Sequence, residues 1–494
     1  MLVIPINSRS MLIPPLSPSV EVLLSNELSY TYRKHIRGVE ARRKFGAASG
    51  NEFIQRTFLV KDPASGHYNC PPGFMDRVSG ILAANGIQHQ FAFQGFTQSY
   101  PDWSAVGGRV NFRYSQRENL EKLLSMPFGG IDAAPGYGKS FLMAAICLLF
   151  SNYEVDITTD SVNICRTLEE YLLDFLPEVG FVGDGDCHKS RVTIYTTDSL
   201  HKSDGTADVL LGDEVHSIVT EKACPKFGVY KKARRYWFSA TPDGRSDNSS
   251  IRVEALFGVP RAKVSFQDCV KWGLVANIEV NWLPFEMDVD PIEHESDPTR
   301  AARFGVWRNR KRNLFIADEI VKKIPEEEQT LILVRTVEHL AHLSYCLPGV
   351  PIAFGDGSSS LDEARAWADA GLIDRSELAD RREKNRMLRK AFAEDRVKKV
   401  IVTSIWDTGV NFPNLVNVVR SDPFAYNAVS DVQAPGRSSR VKRLDGSTKA
   451  VGRLFMPLDM SCRALYLKAQ RARTTYRSQG WEEIGWLPWN RVNV

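Results

Sequence analysis

The residues Ala133-Ala134-Pro135-Gly136-Tyr137-Gly138-Lys139-Ser140 place two glycines, a lysine and a hydroxyl directly ahead of the apolar run Phe141–Phe150. The preceding Gly130–Ala133 reads as a short strand. A glycine-bearing turn between strand and helix lets backbone N–H groups curl around phosphate oxygens, and the helix N-terminus adds a favourable dipole. In that setting Lys139 reaches the β- and γ-phosphates of a nucleoside triphosphate, and the Ser140 hydroxyl is offered to Mg²⁺. Ala133 stands where such loops usually begin with glycine, a departure that ordinary backbone angles tolerate. Further along, Val209-Leu210-Leu211-Gly212 runs into Asp213-Glu214-Val215-His216. Carboxylates at the end of a buried strand are costly unless a metal or a reaction uses them. Asp213 suits the outer ligand of Mg²⁺, and Glu214 suits the base that orients and activates an attacking water. Taken singly, the loop could be a chance glycine-rich turn and the Asp-Glu pair mere surface charge. Together they point to phosphoryl chemistry.

Elements that could position these residues follow from the hydrophobic pattern. From about residue 109, helices alternate with short β-branched runs: Gly130–Ala133, Glu154–Thr158, Val192–Thr196, Val209–Gly212 and Tyr236–Ser239. A second series follows near Thr330–Val334, Lys399–Thr403, Val416–Arg420 and Val451–Met456. Such alternation argues for α/β units with parallel sheets covered by helices on both faces. The acidic, proline-containing stretch Phe285–Arg300 between the two series reads as a connector or a surface loop. Ahead of them, the turn Pro71-Pro72-Gly73 leads into a helical pattern over Phe74–Gly86 and an alternating stretch over Gln88–Phe93, a small α+β module. The expected domains are an N-terminal accessory module over 1–108, a first α/β domain over 109–270, a second over 271–460 and a C-terminal tail over 461–494.

Composition sets the outer bounds. The 494 residues are 43% hydrophobic and 25% charged, which excludes wholesale disorder and fibrous repeats. The net charge of +4 is too small to name a partner, so local charge decides. Arg33, Lys34, Arg37, Arg42, Arg43 and Lys44 are opposed only by Glu40, and read equally as a solvated helix face or a phosphate-contacting surface. No two of the eight cysteines are spaced C-x-x-C, so no structural zinc or redox pair is expected, and a reducing compartment is. The longest uncharged apolar run, Phe141–Phe150, falls far short of the roughly 20 residues a membrane span needs. The apolar N-terminus is broken by Pro5, Pro14, Pro15 and Pro18 and does not read as a signal peptide. A cytoplasmic protein without a membrane partner is expected.

The motifs also carry a family resemblance. Asp213-Glu214-Val215-His216 resembles the DExH box of superfamily 2 helicases, and Ser239-Ala240-Thr241-Pro242 resembles their motif III. Thr403 to Asn411 resembles motif V, and Gln433-Ala434-Pro435-Gly436-Arg437-Ser438-Ser439-Arg440 resembles the Q-x-x-G-R-x-x-R of motif VI. Arg113-Tyr114-Ser115-Gln116 is similar to the segment whose glutamine reads adenine. The order is that of the family over residues 112 to 440. The stretch from Arg56 to Gln90 is similar in layout to the module ahead of the motor in UvsW-type phage helicases.

The resemblance implies two tandem RecA-like domains, a small N-terminal α+β module and a short C-terminal tail, with ATP and Mg²⁺ as cofactors. It implies a nucleotide site of Gln116, Gly136, Gly138, Lys139, Ser140, Asp213, Gly409 and Asn411, with Ser140 and Asp213 on the metal. Gln433 would sense the attacking water or the phosphate, and Arg437 and Arg440 would reach the γ-phosphate from the second domain. His216, Ser239 and Thr241 would couple the ATP site to a nucleic-acid groove. Thr159, Thr196, Arg335 and Thr403 fit family positions that grip the phosphate backbone without reading bases; taken alone, each threonine could equally cap a helix or close a turn. The implied activity is that of a nucleic-acid-dependent ATPase, a DNA helicase or translocase remodelling branched or forked DNA in replication or recombination. Its partner would be single-stranded or branched DNA, and its location the host cytoplasm or nucleoid if it is a viral protein. The alternative is an RNA helicase or a duplex translocase that separates no strands. The tail carries Arg463, Lys468, Arg471, Arg473, Arg477 and Arg491 against Glu482 and Glu483. Its Trp481, Trp486 and Trp489 are expected to pack, while its arginines remain candidates for nucleic acid.

Overall fold

Runs of β-branched and aromatic residues alternate with helices along most of the chain, and in this computed structural model they assemble into two large sheets, a smaller one and a separate hairpin. The structure describes the chain except residues 38–41, 45–48, 97–99, 241–248, 407–411, 426–427 and 490–494. The described chain divides into two compact units, residues 1–133 with 138–264, and residues 134–137 with 265–494.

In the first unit, the large sheet runs in the order Asp186–His188, Gly180–Gly183, Val192–Thr196, Val155–Thr159, Val209–Asp213, Arg234–Ser239, Phe128–Ala133, Pro260–Val264. All its pairings are parallel except the antiparallel hairpin of the first two strands. Val155–Thr159, Val192–Thr196 and Val209–Asp213 are buried along their whole length, as strands covered by helices on both faces must be. The helix Lys139–Leu149 buries every residue from Leu142 to Leu149, so it is apolar nearly all round. Because the strands are parallel, their C-terminal residues collect at one edge: Ala133, Thr159, Thr196, Asp213 and Ser239. That edge is where open α/β sheets place their ligands.

The N-terminal module belongs to the first unit. Its sheet runs Val60–Lys61, Tyr68–Cys70, Met11–Ile13, Leu2–Ile6, His89–Phe93. The helices Pro18–Glu27 and Met75–Ala84 bury Leu24, Val78 and Leu82 in a core with Ile4, Ile6 and Phe74. The basic cluster does not start on a helix face: Arg33, Lys34 and Arg37 lie on the strand Ser29–Arg37, which pairs with Ser49–Thr57 as a two-stranded hairpin.

The second unit holds an all-parallel sheet in the order Ile352–Ala353, Lys399–Val402, Gln329–Leu333, Leu415–Arg420, Val451–Asp459, Asn277–Phe285, Glu482–Ile484. The acidic stretch after Phe285 lies within this unit, where Pro298–Ala302 forms a short helix capped by Asp297. The tail folds as the helix Arg463–Ser478 followed by the edge strand Glu482–Ile484. Its tryptophans pack: Trp481 stacks on Tyr476 with centroids 5.2 Å apart, Trp486 meets Trp282 edge-on at 4.8 Å, and Trp489 lies 5.1 Å from Tyr466. These are tandem RecA-like α/β domains preceded by a small α+β module. No helix among the described residues is long and apolar enough to cross a membrane.

Candidate functional site

The loop after Phe128–Ala133 turns through Gly136 at φ +88° and Gly138 at φ +99°, left-handed conformations that favour glycine. Gly138 is the N-cap of Lys139–Leu149, and no side chain caps that helix. Its first-turn N–H groups are therefore left for a ligand. A β-carbon at Gly138 would lie 2.9 Å from Gln116 Nε2, so the glutamine expected to read adenine stands against the loop. The Gln116 side chain is buried and its Oε1 accepts the Arg113 N–H at 2.9 Å. Ser140 occupies the second position of the same helix.

Lys139 points to the end of the neighbouring strand Val209–Asp213. Its Nζ lies 3.2 Å from Glu214 Oε1. Glu214 holds φ +45°, a left-handed conformation for a residue with a side chain. That costs about 1–3 kcal/mol and persists only where the surroundings enforce it. Behind it, the Ser239 hydroxyl donates to Glu214 Oε2 at 3.3 Å, and His216 Nδ1 lies 2.8 Å from the same Ser239 Oγ. The structure thus brings Lys139, Glu214, His216 and Ser239 into one buried cluster.

The electrostatics of this cluster are unbalanced. Burial and the adjacent Glu214 push the Asp213 carboxyl up to about 7, with Lys139 pulling it partly back. For Glu214 burial also works upward, but Lys139 and His216 outweigh it and hold the carboxylate below its usual range. Two neighbouring carboxylates share one ammonium, so the site has room for a further positive charge. An uncapped helix end, a glycine cradle, a lysine and an under-neutralised carboxylate pair together fit a nucleoside triphosphate with a divalent cation.

The residues expected to grip a phosphate backbone lie at or just past strand ends. Thr159 and Thr196 are opposed in register at the ends of neighbouring strands. Thr196 accepts the Ser199 N–H at 3.3 Å, capping the short helix Thr197–Lys202. Thr159 is fully buried, and its hydroxyl meets no hydrogen-bond partner among the described residues. In the second unit, Thr403 is buried just past Lys399–Val402, and its N–H donates to the Ala353 carbonyl at 3.1 Å. Arg335 is exposed beyond Gln329–Leu333, with Nη1 donating to the Phe424 carbonyl at 2.8 Å. Gln433 is half-buried on the helix Ala428–Gly436, Arg437 opens the short helix Arg437–Ser439, and Arg440 bridges to Val275. Thr241, Gly409 and Asn411 lie outside the described residues.

Sequence reasoning missed a buried network that fixes the motif VI helix. Arg420 Nη1 bonds Asp431 Oδ1 and also the Tyr476 hydroxyl at 3.1 Å, which ties that helix to the C-terminal one. The only hint was Asp431, two positions before Gln433 in an otherwise apolar turn.

Comparison with known proteins now has a site to bear on. The family described as type III restriction enzyme, res subunit, matches residues 109–244, the stretch that contains the loop and the carboxylate pair. No curated protein sequence matches the chain. A solved fragment assigned to the HsdR subunit of a type I restriction enzyme from Vibrio vulnificus YJ016 is similar at 14% identity and TM-score 0.55, over 94% of this chain and 95% of that one. The DNA-bound ATP-dependent type ISP restriction-modification enzyme LlaBIII is similar at 14% identity and TM-score 0.52, over 82% of this chain but only 32% of its own. T4 UvsW aligns over 98% of both chains at 12% identity, with a TM-score of only 0.40. The chain thus shares its fold with restriction-enzyme proteins of known structure, and residues 109–244 match the res-subunit family.

Proposed function

We propose that this protein is a nucleic-acid-dependent ATPase that uses ATP and Mg²⁺ to move along or remodel DNA. The observation that carries the reading is the contact of Lys139 with Glu214 at 3.2 Å beneath an uncapped helix N-terminus, with Ser239 and His216 behind the glutamate. ATP supplies the phosphoanhydride to be cleaved, and Mg²⁺ neutralises its phosphates. Gly136, Gly138 and the first-turn N–H groups cradle the phosphates, and Lys139 neutralises them. Ser140 and Asp213 hold the metal ion. Glu214 takes a proton from the attacking water at a carboxylate oxygen. Gln116 orients the base, with Gly409 and Asn411 as further nucleotide contacts. Gln433, Arg437 and Arg440 act on the γ-phosphate. His216, Ser239 and Thr241 couple the site to the nucleic acid, which Thr159, Thr196, Arg335 and Thr403 grip.

The finer reading is a helicase acting on forked or branched DNA in replication or recombination. The second reading is a duplex translocase that separates no strands: two similar solved structures, with TM-scores of 0.52 and 0.55, are restriction-enzyme proteins, and one of them is DNA-bound. Measuring ATP turnover with single-stranded DNA, duplex, forks and RNA tests all of these. Stimulation by forks or single strands with strand displacement supports the helicase. Stimulation by blunt duplex without displacement supports the translocase. Turnover indifferent to every nucleic acid removes both.

A further inference from the structure

The C-terminal helix brings a second cation to the residue that Arg335 already holds. Arg335 Nη1 donates to the Phe424 carbonyl at 2.8 Å, while Lys468 Nζ lies 4.4 Å from the centroid of the Phe424 ring. Arg471 follows one helical turn after Lys468, is exposed, and makes no hydrogen bond or ion pair with any described residue. Burial holds the Lys468 ammonium below its ordinary range, and the charges of Arg471 and Arg335 push the same way against the pull of Asp422. Asp422 is itself buried and engaged: it accepts the Trp307 indole N–H at 2.7 Å and the Phe424 N–H at 2.8 Å, and lies 3.8 Å from His339 Nδ1. Arg335 and Lys468 thus meet at Phe424 with Arg471 one helical turn along, and the one carboxylate that acts on Lys468 is already engaged elsewhere, so the like charges repel until an anion joins them.

Two other basic residues of the same helix are engaged. Arg473 Nε donates to Glu483 at 2.9 Å and covers the Trp486 ring at 4.3 Å, and Arg477 lies 3.8 Å from the same carboxylate. The contrast separates structural arginines from available ones.

We propose that Arg335, Lys468 and Arg471 form a seat for a backbone phosphate of a nucleic-acid strand, with two of the three cations supplied by the C-terminal helix. This rests on the reading of the protein as nucleic-acid-dependent. The occupant is a phosphodiester rather than a base, because three cations offer donors and charge but no acceptor to read a base edge.

The test is a titration of fluorescein-labelled random-sequence single-stranded DNA with the full chain across a sodium chloride series. Each phosphate of a single strand that the protein no longer neutralises lowers the steepness of log affinity against log salt by about 0.7. The double variant Lys468→Gln/Arg471→Gln should therefore flatten the slope by about 0.7, and Arg471→Gln alone by about half that, with affinity several-fold weaker at low salt. Arg473→Gln should leave the slope unchanged. Arg471 is exposed, so the single variant decides the matter even if the double one folds poorly. If the wild type binds with a clear salt slope and Arg471→Gln and the double variant reproduce it, the seat is wrong and the ATPase reading stands. If the wild type binds no strand at all, the nucleic-acid reading falls and the seat falls with it.

Discussion

The two units treat buried charge differently. In the second, every carboxylate buried among the described residues meets a group that answers it. Asp459 takes both arms of the fully buried Arg312 at 2.8 and 3.1 Å, Asp431 takes Arg420, Glu338 takes Arg303 and Arg308, and Asp422 takes Trp307 and His339. In the first, Asp208 takes Lys232 at 2.9 Å, but Asp213 and Glu214 share the single ammonium of Lys139, and among the described residues Asp156 accepts only from the hydroxyls of Ser203 at 2.8 Å and Tyr230 at 2.6 Å. Compensated charge fixes a core. Uncompensated charge either carries a proton or waits for a ligand, and the deficit at Asp213 and Glu214 coincides with the glycine loop proposed to hold phosphate. The Arg335–Lys468–Arg471 cluster is the opposite imbalance on the second unit's surface, an excess of cations that calls for an anion.

The largest effect should come from the shared ammonium. Lys139→Ala leaves two carboxylates with no cation and the phosphates without their neutralising group, so ATP turnover should vanish. Glu214→Gln keeps the shape and relieves the repulsion on Asp213. It should still bind nucleotide, yet lose about 10²–10⁴-fold in turnover, the worth of a positioned base. Steady-state hydrolysis and equilibrium binding of a fluorescent ATP analogue separate the two. Near-normal turnover in Glu214→Gln would mean that the imbalance is not catalytic.

Next comes Arg437→Ala. A guanidinium on the γ-phosphate is worth about 10³-fold or more, so turnover on saturating DNA should fall by that order while DNA binding persists. Turnover that survives would confine the chemistry to the first unit.

Much of this was legible because the chemistry is local in sequence. The loop residues Gly136 to Ser140 adjoin in the chain, and the strand before Asp213 is an unbroken apolar run bounded by charge. Strands hidden from the pattern are those whose neighbours decide them. Asn277–Phe285 contains Pro284 and alternates polar with apolar, yet it lies between Val451–Asp459 and Glu482–Ile484. Pro260–Val264 is a half-exposed edge strand with two basic residues. The hairpin carrying Arg33, Lys34 and Arg37 was equally hidden, since charge clusters do not reveal whether they ride on helix or strand. The seat around Phe424 could not be read at all, because Arg335 and Lys468 are far apart in sequence and meet only through the folded sheet and the tail helix.

The paired charges of the second unit offer a structural test. Asp459→Asn leaves Arg312 buried with its countercharge removed, which should cost about 3–5 kcal/mol in urea unfolding. The double variant Asp459→Leu/Arg312→Met removes both charges and should recover much of that stability. If Asp459→Asn costs no more than a surface change, the pair is not a compensated core element.

The smallest effect is a pH slope set by Asp156. Burial pushes this carboxyl from 3.8 up to about 6, with the hydroxyls of Tyr230 and Ser203 working against the shift. Between those values the folded chain keeps a proton that the unfolded chain has released. The unfolded state therefore binds fewer protons, and this group's contribution to stability falls as pH rises from about 4 to about 6, then stays constant. The shift corresponds to about 3 kcal/mol at neutral pH, an upper figure because water entry relaxes such sites. Asp156→Asn is neutral at every pH, and its carbonyl oxygen still accepts from both hydroxyls. It should equal or exceed the wild type in stability at about pH 8, and lose the decline between about pH 4 and 6. Melting midpoints of both proteins across that range measure this directly. An unchanged slope would mean that Asp156 is ionised in the fold, and the first unit's imbalance would then be confined to Asp213 and Glu214.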